Sequence, residues 1–397
     1  MIARRCLLPL GLVATAAAAA DAPPPPISVG VRETFDAWDD ASGGLNTGTT
    51  LLNKLQMSGT VQGALIGLDG LSAHVQIFRT DGHSLSSRVG DIQTVSNIEA
   101  PPSIRLFEAW LEEKVGDEQR SLGLRAGLMD LNAQFDSNDS ASLFINSSHG
   151  IGPDISRSGR NGPSIFPVTS AAATVSLLLG KTWTFRVAVF DGVPGDPDRP
   201  KAFAIARLGH GDGALVIGQV DYHLSDDATI EGGAWRYTAA VRAIDPARAR
   251  VHDQGAYASL AAPIPGFKGW SGWVRAGIAD RDAQPVSAYL GAGLVAPGLF
   301  AGRPDDRIGF AVAHAAIGAP SRAAFGLPHA ETTFEATYQI EMHRTLVLQP
   351  DAQFVRHPAG RAGATNAVAL GLRAVVTFGY PVQPSAIDAA DPTVPPE

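Results

Sequence analysis

Strict alternation between apolar and polar residues marks the chain near its C-terminal end. Three runs, 334–340, 346–354 and 368–378, place apolar side chains on one face and polar side chains on the other. A period of two is the pattern of a β-strand with two different faces. Each run has about ten residues, the length of a tilted strand that crosses a bilayer. A soluble β-sandwich shows the same alternation, so these runs alone leave both architectures open.

The same alternation recurs along the rest of the chain. Its earlier runs are 27–37, 51–62, 71–79, 103–115, 121–130, 174–179, 182–190, 202–208, 214–224, 228–238, 253–262, 269–279, 286–296 and 308–316. Bacterial outer-membrane barrels have an even number of strands, and both of their termini lie on the periplasmic side. This parity assigns the short run 202–208 to an extracellular loop. Sixteen strands remain, about the size of a barrel with a water-filled lumen.

The sequence therefore predicts an all-β fold, a transmembrane antiparallel β-barrel of about sixteen strands with a long loop folded inward. In lipid every backbone polar group must be paired, so strands cross a membrane only as closed barrels. The polar second faces fit a wet interior, whereas a soluble sandwich needs a dry core between its sheets. The register of run 103–115 is ambiguous, because Arg105 and Glu108 lie on opposite faces of a regular strand.

The two ends of the chain differ from the barrel in composition. Residues 1–20 predict a secretory signal, with a positive start, an apolar stretch and small residues at its end. Residues 21–26 form a proline-rich spacer, 27–378 the barrel, and 379–397 a C-terminal tail. A short membrane anchor is the alternative for the first segment, but its apolar part is too short.

Charge and cysteine content exclude several functions. The only cysteine, Cys6, lies in the predicted signal, so we expect no disulfide and no cysteine-bound metal in the mature chain. The signal carries two arginines and no acid, so its removal changes the formal charge from −8 to −10. An acidic chain argues against a nucleic-acid partner. Metalloprotease, nucleophile-elbow and P-loop motifs are absent, which predicts no enzyme activity and no cofactor.

Several stretches resemble the carbohydrate-selective porin family (OprB-like) of bacterial outer membranes. The most specific are FDSNDSASLFINSSHGIGP at 135–153 and PSIFPVTS at 163–170. Further stretches that resemble the family are RLFEAWLEE at 105–113, GVPGDPDRP at 192–200, GLFAGRPDDRIGFAVAHA at 298–315 and the pair within 331–360. The resemblance spans roughly residues 45–378. It implies a sixteen-stranded outer-membrane barrel through which mono- or oligosaccharides diffuse passively.

The chain departs from the family pattern at its C-terminus. Outer-membrane barrels usually end on an aromatic residue, whereas nineteen residues follow Phe378 here. This departure concerns the barrel-assembly machinery, an expected partner that reads the last strand. Tyr380 is a second candidate for the terminal aromatic residue.

A pore for neutral sugars needs hydrogen-bonding side chains that hold the solute weakly. The alternation predicts a set of charged and amide side chains that line the channel. Its members are Arg32, Arg125, Arg186, Arg275, Arg373, Glu335, Gln339, Gln349, Asp351 and Gln353. Arginines could donate to sugar hydroxyls while acids hold the arginines in place. The alternative is that these arginines are solvated wall residues in ion pairs.

The longest interruption of the alternation, 131–167, is the predicted constriction loop. A gap of this length in a compact domain is unusual unless it has a function. The residues expected to supply its polar contacts are Asp136, Asn138, Asp139, Asn146 and Ser147. An ordinary surface loop is the alternative. A weak calcium-like pattern begins at Asp136 but lacks the later glycine and glutamate of an EF-hand. We therefore expect no metal here.

The function that these observations favour is passive diffusion of saccharides across the outer membrane. The expected partners are saccharides and outer-membrane lipid, and the protein is either a monomer or a homotrimer. A general non-selective porin and an adhesin-like barrel are alternatives. A barrel hydrolase that uses Ser148 and His149 is a further alternative, although two adjacent residues are not a triad.

Overall fold

The computed structural model describes residues 25–380 apart from 206–208, 210 and 301. The predicted signal, most of the spacer and the tail after Tyr380 lie outside the described residues. The strands are β1 Ile27–Gly44, β2 Gly48–Gln62, β3 Leu71–Gly82, β4 Ser103–Gly116, β5 Arg120–Met129, β6 Ser170–Leu179, β7 Trp183–Asp191, β8 Ala214–Ser225, β9 Ala228–Arg242, β10 Arg250–Pro263, β11 Ser271–Ala279, β12 Val286–Pro297, β13 Arg307–Ile317, β14 Ala330–His343, β15 Leu346–Arg356 and β16 Thr365–Tyr380.

The helices are short and lie in the connections between strands. They are α1 Ser86–Val89, α2 Ser147–Gly150, α3 Pro153–Ser156 and α4 Ala319–Phe325, with 3-10 turns at Gly63–Ile66 and Asp139–Leu143. None of the helices in the described ranges is long and apolar enough to cross a membrane.

The sixteen strands form one closed barrel in which every strand pairs antiparallel with its neighbours in sequence. Strands β1 and β16 close the ring, from Val29 opposite Tyr380 to Gly44 opposite Thr365. This confirms the predicted fold class. Residues 202–205 are not in a strand, in agreement with the assignment of that run to a loop.

The two ends of the barrel differ in the length of their connections. Tight turns at 117–119, 180–182, 226–227 and 344–345 lie at the end where β1 starts and β16 finishes. The opposite end carries longer connections, among them 83–102 and 130–169. Porins have short periplasmic turns and longer extracellular loops. We therefore assign the end with the termini to the periplasm.

The outer face of the barrel is apolar and exposed. Side chains such as Phe35, Leu124, Val187 and Leu370 are about half exposed on this face. Trp183 and Tyr222 pack together with ring centroids 4.5 Å apart near a periplasmic turn. Aromatic residues at the edge of an apolar band are typical of outer-membrane barrels.

A β-bulge in β4 resolves the register that the sequence left ambiguous. The pairing with β3 shifts between Gln76 and Ile77, so that Glu108 pairs with Gln76 while Arg105 pairs with Phe78. Both β3 partners are buried on the inner face. The extra residue at the bulge therefore places Arg105 and Glu108 on the same face, and the expectation that they lie on opposite faces was wrong.

Candidate channel and its inner loops

The connection between β5 and β6, residues 130–169, folds into the lumen, and we call it the inner loop. It starts on one side of the barrel and reaches strands on the far side. Asn146 donates to Gln353 on β15 at 3.0 Å, and Tyr289 on β12 donates to the Ser148 carbonyl at 2.8 Å. The predicted constriction loop therefore does cross the lumen, although its role as a constriction stays a prediction.

Local sequence explains how the inner loop turns. The side chain of Asn138 accepts hydrogen bonds from the backbone of Ser140 and Ala141, which starts the 3-10 turn Asp139–Leu143. The side chain of Asn146 accepts from Ser148 N at 3.0 Å and starts α2. Asparagine is favoured at such starts because its oxygen satisfies amide groups that the turn leaves free.

The tip of the inner loop descends toward the periplasmic end. Ser140 lies 3.1 Å from Ser271, the first residue of β11. Leu143 and Phe144 pack there with Trp273, Val295 and other apolar residues of β11–β13. Burial of apolar side chains stabilises this position. The loop thus occupies the part of the lumen beside β11–β13.

Arg275 on β11 clamps the inner loop at two points. Its Nε and Nη2 donate to the Asp136 carboxylate at 3.0 and 2.7 Å. It also binds Asp154, with Nη2 3.0 Å from Oδ2. All three side chains are at most 6% exposed. A bidentate arginine–carboxylate pair fixes geometry as well as charge, so Arg275 determines where both halves of the loop lie.

Predicted lining residues on β14 and β15 also hold the inner loop. Glu335 accepts from the backbone of Ile145 at 2.5 Å and Asn146 at 3.1 Å. Gln349 donates to the Leu143 carbonyl at 2.7 Å. Asp351 accepts from Gln353 at 3.1 Å. These side chains are buried under the loop, so they contact protein instead of open lumen.

A second connection folds inward, which the sequence analysis missed. Residues 83–102 link β3 to β4, and we call them the brace loop. Gln93 Nε2 reaches the Ala313 carbonyl at 3.3 Å, and Ser147 N of the inner loop donates to the Thr94 carbonyl at 3.0 Å. Glu331 on β14 accepts from two backbone amides of this loop. The alternation at Glu335 continues to Glu331, and this signal could have identified it.

Arg373 lies between the barrel seam and the brace loop. It donates to both oxygens of Asp36 on β1 at 2.7 and 2.8 Å, and its Nη2 lies 3.3 Å from Ser96 Oγ. Its donors face protein carboxylate and hydroxyl groups. Like Arg275, this predicted lining residue positions a loop.

The arginines on the other side of the lumen are held less completely. Arg125 donates to Glu112 at 3.1 Å and stacks on Trp110 at 3.9 Å, while its Nε has no hydrogen-bond partner. Arg186 binds Asp221, and a quarter of its side chain is exposed at 26%. Arg32 is half-buried and pairs in register with Gln56 on β2. Arg125 and Arg186 therefore keep part of their side chains exposed beside the lumen.

The remaining predicted residues occupy varied places. Gln339 on β14 accepts from Arg307 at 2.8 and 3.1 Å near the periplasmic end. Asp139 is exposed at the loop tip, and Ser147 is half-buried at the start of α2. Asp136 gives both oxygens to Arg275. No group of three potential metal-ligating acids, histidines or cysteines occurs within the described ranges.

A narrow cleft lies between the inner loop and the wall at β9–β11. Ser137 and Asn138 line it on the loop side, and Glu231, Ser259 and Trp273 line it on the wall side. Ser259 donates to Glu231 at 2.9 Å, and the indole N–H of Trp273 has no hydrogen-bond partner. The cleft therefore combines polar side chains with an aromatic side chain.

His149 is buried within the inner loop. Its ring lies 5.1 Å from Phe144 and 5.4 Å from Trp273, centroid to centroid. Burial lowers the pKa of His149 to about 3, although the charge of Asp351 acts in the opposite direction. The neighbouring Ser148 hydroxyl donates to the Gln93 carbonyl at 3.3 Å. Ser148 is thus oriented toward the brace loop.

The fold is similar to solved outer-membrane channels. The structure of Pseudomonas putida OprB at high pH aligns with TM-score 0.78 and 17% identity, over 89% of this chain and 94% of that chain. The low-pH structure of the same protein has TM-score 0.56 and 14% identity, over 89% and 92%. DcaP of Acinetobacter baumannii has TM-score 0.56 and 10% identity, over 89% and 96%.

Sequence comparison assigns the family. No curated protein matches the chain significantly. The family model described as carbohydrate-selective porin, OprB family, matches residues 62–378, which is most of the chain. The closed sixteen-stranded barrel agrees with that match. The chain therefore belongs to the OprB family of carbohydrate-selective porins of the outer membrane.

Proposed function

We propose that neutral saccharides diffuse passively along one side of the lumen, between the inner loop and the wall formed by β1–β9. The observation that supports this proposal is that the interior arginines differ in their protein partners and in their exposure. Arg275 donates to two buried carboxylates, Asp136 and Asp154, whereas Arg125 donates to one carboxylate, Glu112, and Arg186 stays partly exposed. A passing sugar can therefore hydrogen-bond to Arg125 and Arg186.

Ion pairs make these arginines suitable for a neutral solute. Glu112 and Asp221 neutralise Arg125 and Arg186 without occupying every donor. The guanidinium plane is held in one orientation, so fewer side-chain conformations are lost when a hydroxyl binds. Binding near the millimolar range, about −4 kcal/mol, allows entry and release.

The cleft at Trp273 supports a second contact point for the sugar. Glu231 and Ser259 offer polar groups and Trp273 an aromatic surface, and these residues lie beside the polar loop residues Ser137 and Asn138. A pyranose ring presents hydroxyls and apolar C–H faces, which match this mixture of groups. Arg275, Arg373, Glu335, Gln349 and Gln353 shape the channel by holding the loops, and Asp351 accepts a hydrogen bond from Gln353.

Family and fold imply a channel instead of an enzyme. We further propose that lipid covers the apolar outer face and that the barrel-assembly machinery inserts the protein. The self-association state stays a choice between monomer and homotrimer. For the hydrolase alternative, the orientation of Ser148 toward Gln93 gives no support, because the hydroxyl does not pair with His149.

The test is single-channel current in a planar bilayer with glucose and then longer saccharides. We expect concentration-dependent block by sugar. Arg125→Ala should weaken the block about tenfold, the effect of losing roughly one hydrogen bond to a charged group, with little change in conductance. Arg275→Ala should instead raise conductance, because the inner loop loses its clamp.

Three outcomes would contradict the proposal. Conductance without sugar block would indicate a general porin. Equal behaviour of the Arg125→Ala and Arg275→Ala variants would show that the interior arginines do not divide into solute-binding and loop-holding groups. Lipid cleavage by the purified protein that disappears in His149→Ala would favour the hydrolase.

A further inference from the structure

The side chain of Glu331 joins two connections between strands inside the barrel, and we call it the Glu331 junction. It lies on β14 at the extracellular end and is fully buried. Its oxygens accept from Ile92 N at 2.8 Å, Gln93 N at 3.0 Å and Ala359 N at 2.6 Å. One wall side chain thus binds the backbone of two different connections, the brace loop and the β15–β16 connection.

Backbone amides make this junction independent of the loop's own side chains. Consecutive amides at Ile92 and Gln93 both point at Glu331, which forces a local turn of the brace loop. Gln93 adds bonds from its amide to the Ala313 carbonyl at 3.3 Å and to Thr333 Oγ1 at 3.4 Å. A buried carboxyl group that accepts from several backbone amides is held in one orientation. The brace loop is therefore fastened to the β13–β14 wall at this one point.

From Glu331 the contacts continue to the inner loop. Ser148 Oγ donates to the Gln93 carbonyl at 3.3 Å, and Ser147 N to the Thr94 carbonyl at 3.0 Å. Asn97 N donates to the Ile145 carbonyl at 2.9 Å. The brace loop thus lies between the wall and the segment that crosses the lumen.

We infer that Glu331 is a positioning residue for solute selection, which acts by holding the brace loop and, through it, the inner loop. The inference rests on the proposed sugar channel. Glu335 holds the inner loop directly, whereas Glu331 reaches it only through the brace loop. Loss of Glu331 should release the brace loop first and then widen the path beside the inner loop, without direct contact between Glu331 and the sugar.

The test uses a buried reporter in the brace loop. Val95 is fully buried against Trp38, Val355 and Ala367, and the mature chain is expected to have no cysteine, so Val95→Cys places one thiol at a shielded site. Its modification by a charged, membrane-impermeant thiol reagent is measured in the folded protein in lipid vesicles. Adding Glu331→Ala should accelerate modification about tenfold or more, since local opening determines the rate.

Glu341→Ala is the matched control, because Glu341 lies on the same strand at the periplasmic end. It should leave the modification rate unchanged. Glu331→Gln is a second test variant, which can be used if Glu331→Ala does not fold. The amide keeps one acceptor oxygen, so an intermediate rate is expected. An unchanged rate in both Glu331 variants would overturn the inference.

Single-channel current measurements on the same variants test whether the Glu331 junction affects solute selection. Glu331→Ala should raise conductance and open-channel noise and weaken sugar block, whereas Glu331→Gln should partly restore both. A barrel that releases the Val95→Cys thiol while sugar block stays at the parent level would also overturn the inference. If the parent channel shows no sugar block, the proposed function fails. The thiol rate then still decides whether Glu331 holds the loop.

Discussion

At the scale of single residues, the arginines inside the barrel divide by whether they bond to residues of an inward-folded loop. Arg275 and Arg373 bind carboxylates buried with them and hold the inner loop and the brace loop. Arg125 and Arg186 bind carboxylates on the strand beside them and leave donor groups for other contacts. The same side chain therefore serves as a structural clamp or as a candidate contact for solute. Which of these two roles an arginine has depends on whether a loop packs against its part of the wall.

His149 gives a prediction about pH that belongs to this scale. Burial lowers its pKa to about 3 in the folded protein, whereas an exposed histidine has a pKa near 6.5. A released loop therefore binds a proton that the folded loop does not. Stability is complete above pH 6.5 and falls as the pH drops toward 3. Between pH 7 and pH 5 this one group should cost about 2 kcal/mol.

Urea unfolding in lipid vesicles, followed by tryptophan fluorescence, measures this effect. His149→Phe should reduce the loss of stability between pH 7 and pH 5 by about the amount that linkage predicts, 2 kcal/mol. His343→Phe, at an exposed site beside a periplasmic turn, is the control and should leave the pH dependence unchanged. Glu335, with an oxygen 3.3 Å from Nε2, is present in both proteins. Identical pH profiles of the parent and the His149 variant would show that this residue is not held neutral.

The sequence indicated the face of the interior residues but not their partners. Alternation assigned Arg275 and Arg373 to the inner wall, because the side of a strand depends only on residues within a few positions. Their ion pairs with Asp136 and Asp36 join residues more than one hundred positions apart. No local pattern encodes such a pairing, so the clamps could be found only in the structure.

At the scale of elements, strands follow from local pattern and loops from distant contacts. The alternation predicted sixteen strands because a lipid-facing side and a wet side repeat every second residue. It missed the bulge at β4, since one extra residue reverses the alternation without any change in composition. It also missed the brace loop, whose inward course depends on Glu331 of a strand far along the chain. The missing information was long-range in every case.

Deletion of the inner-loop tip should show whether the inner loop, and not the barrel wall, limits flow through the channel. The carbonyls of Asp136 and Gly150 both accept from Asn132 Nδ2, at 2.9 and 3.1 Å, so these two points lie close together. Residues 137–149 can therefore be replaced by two glycines. Conductance should rise about twofold or more, because a sixteen-stranded barrel without its plug has a wide lumen. Sugar block should be lost.

The barrel itself should survive this deletion, because its strand pairs do not involve the loop. Heat-modifiable migration on gels measures that survival. A matched shortening of the β9–β10 connection, 243–249, is the control, since that connection bonds to Asp282 at the mouth instead of crossing the lumen. An unchanged conductance after the tip deletion would mean that the inner loop does not limit flow.

At the scale of the whole molecule, closure of the barrel depends on the pairing of the first and last strands. The ladder between β1 and β16 extends to the pairs Val31–Phe378 and Val29–Tyr380. Phe378 and Tyr380 are 60% and 67% exposed at the periplasmic end of the outer face. The strand thus finishes two residues beyond the predicted barrel limit, on a second aromatic residue with the same orientation.

Truncation can show which of these residues completes the barrel. A chain that ends at Tyr380 retains every described pair with β1 and both exposed aromatic residues, so it should assemble in the outer membrane as the full chain does. A chain that ends at Thr377 loses the last three pairs and both aromatic residues, and most of it should stay unassembled. A chain that ends at Phe378 retains Phe378 but lacks Tyr380, so it shows which of the two aromatic residues is needed. Membrane yield and heat-modifiable migration measure assembly, and normal assembly of the chain that ends at Thr377 would show that neither aromatic residue is needed. Among the described strands, β1 and β16 alone pair across opposite ends of the sequence, so this closing ladder forms after the last strand has been synthesised. A defect there should therefore lower the amount of assembled channel and leave the conductance of each assembled channel unchanged.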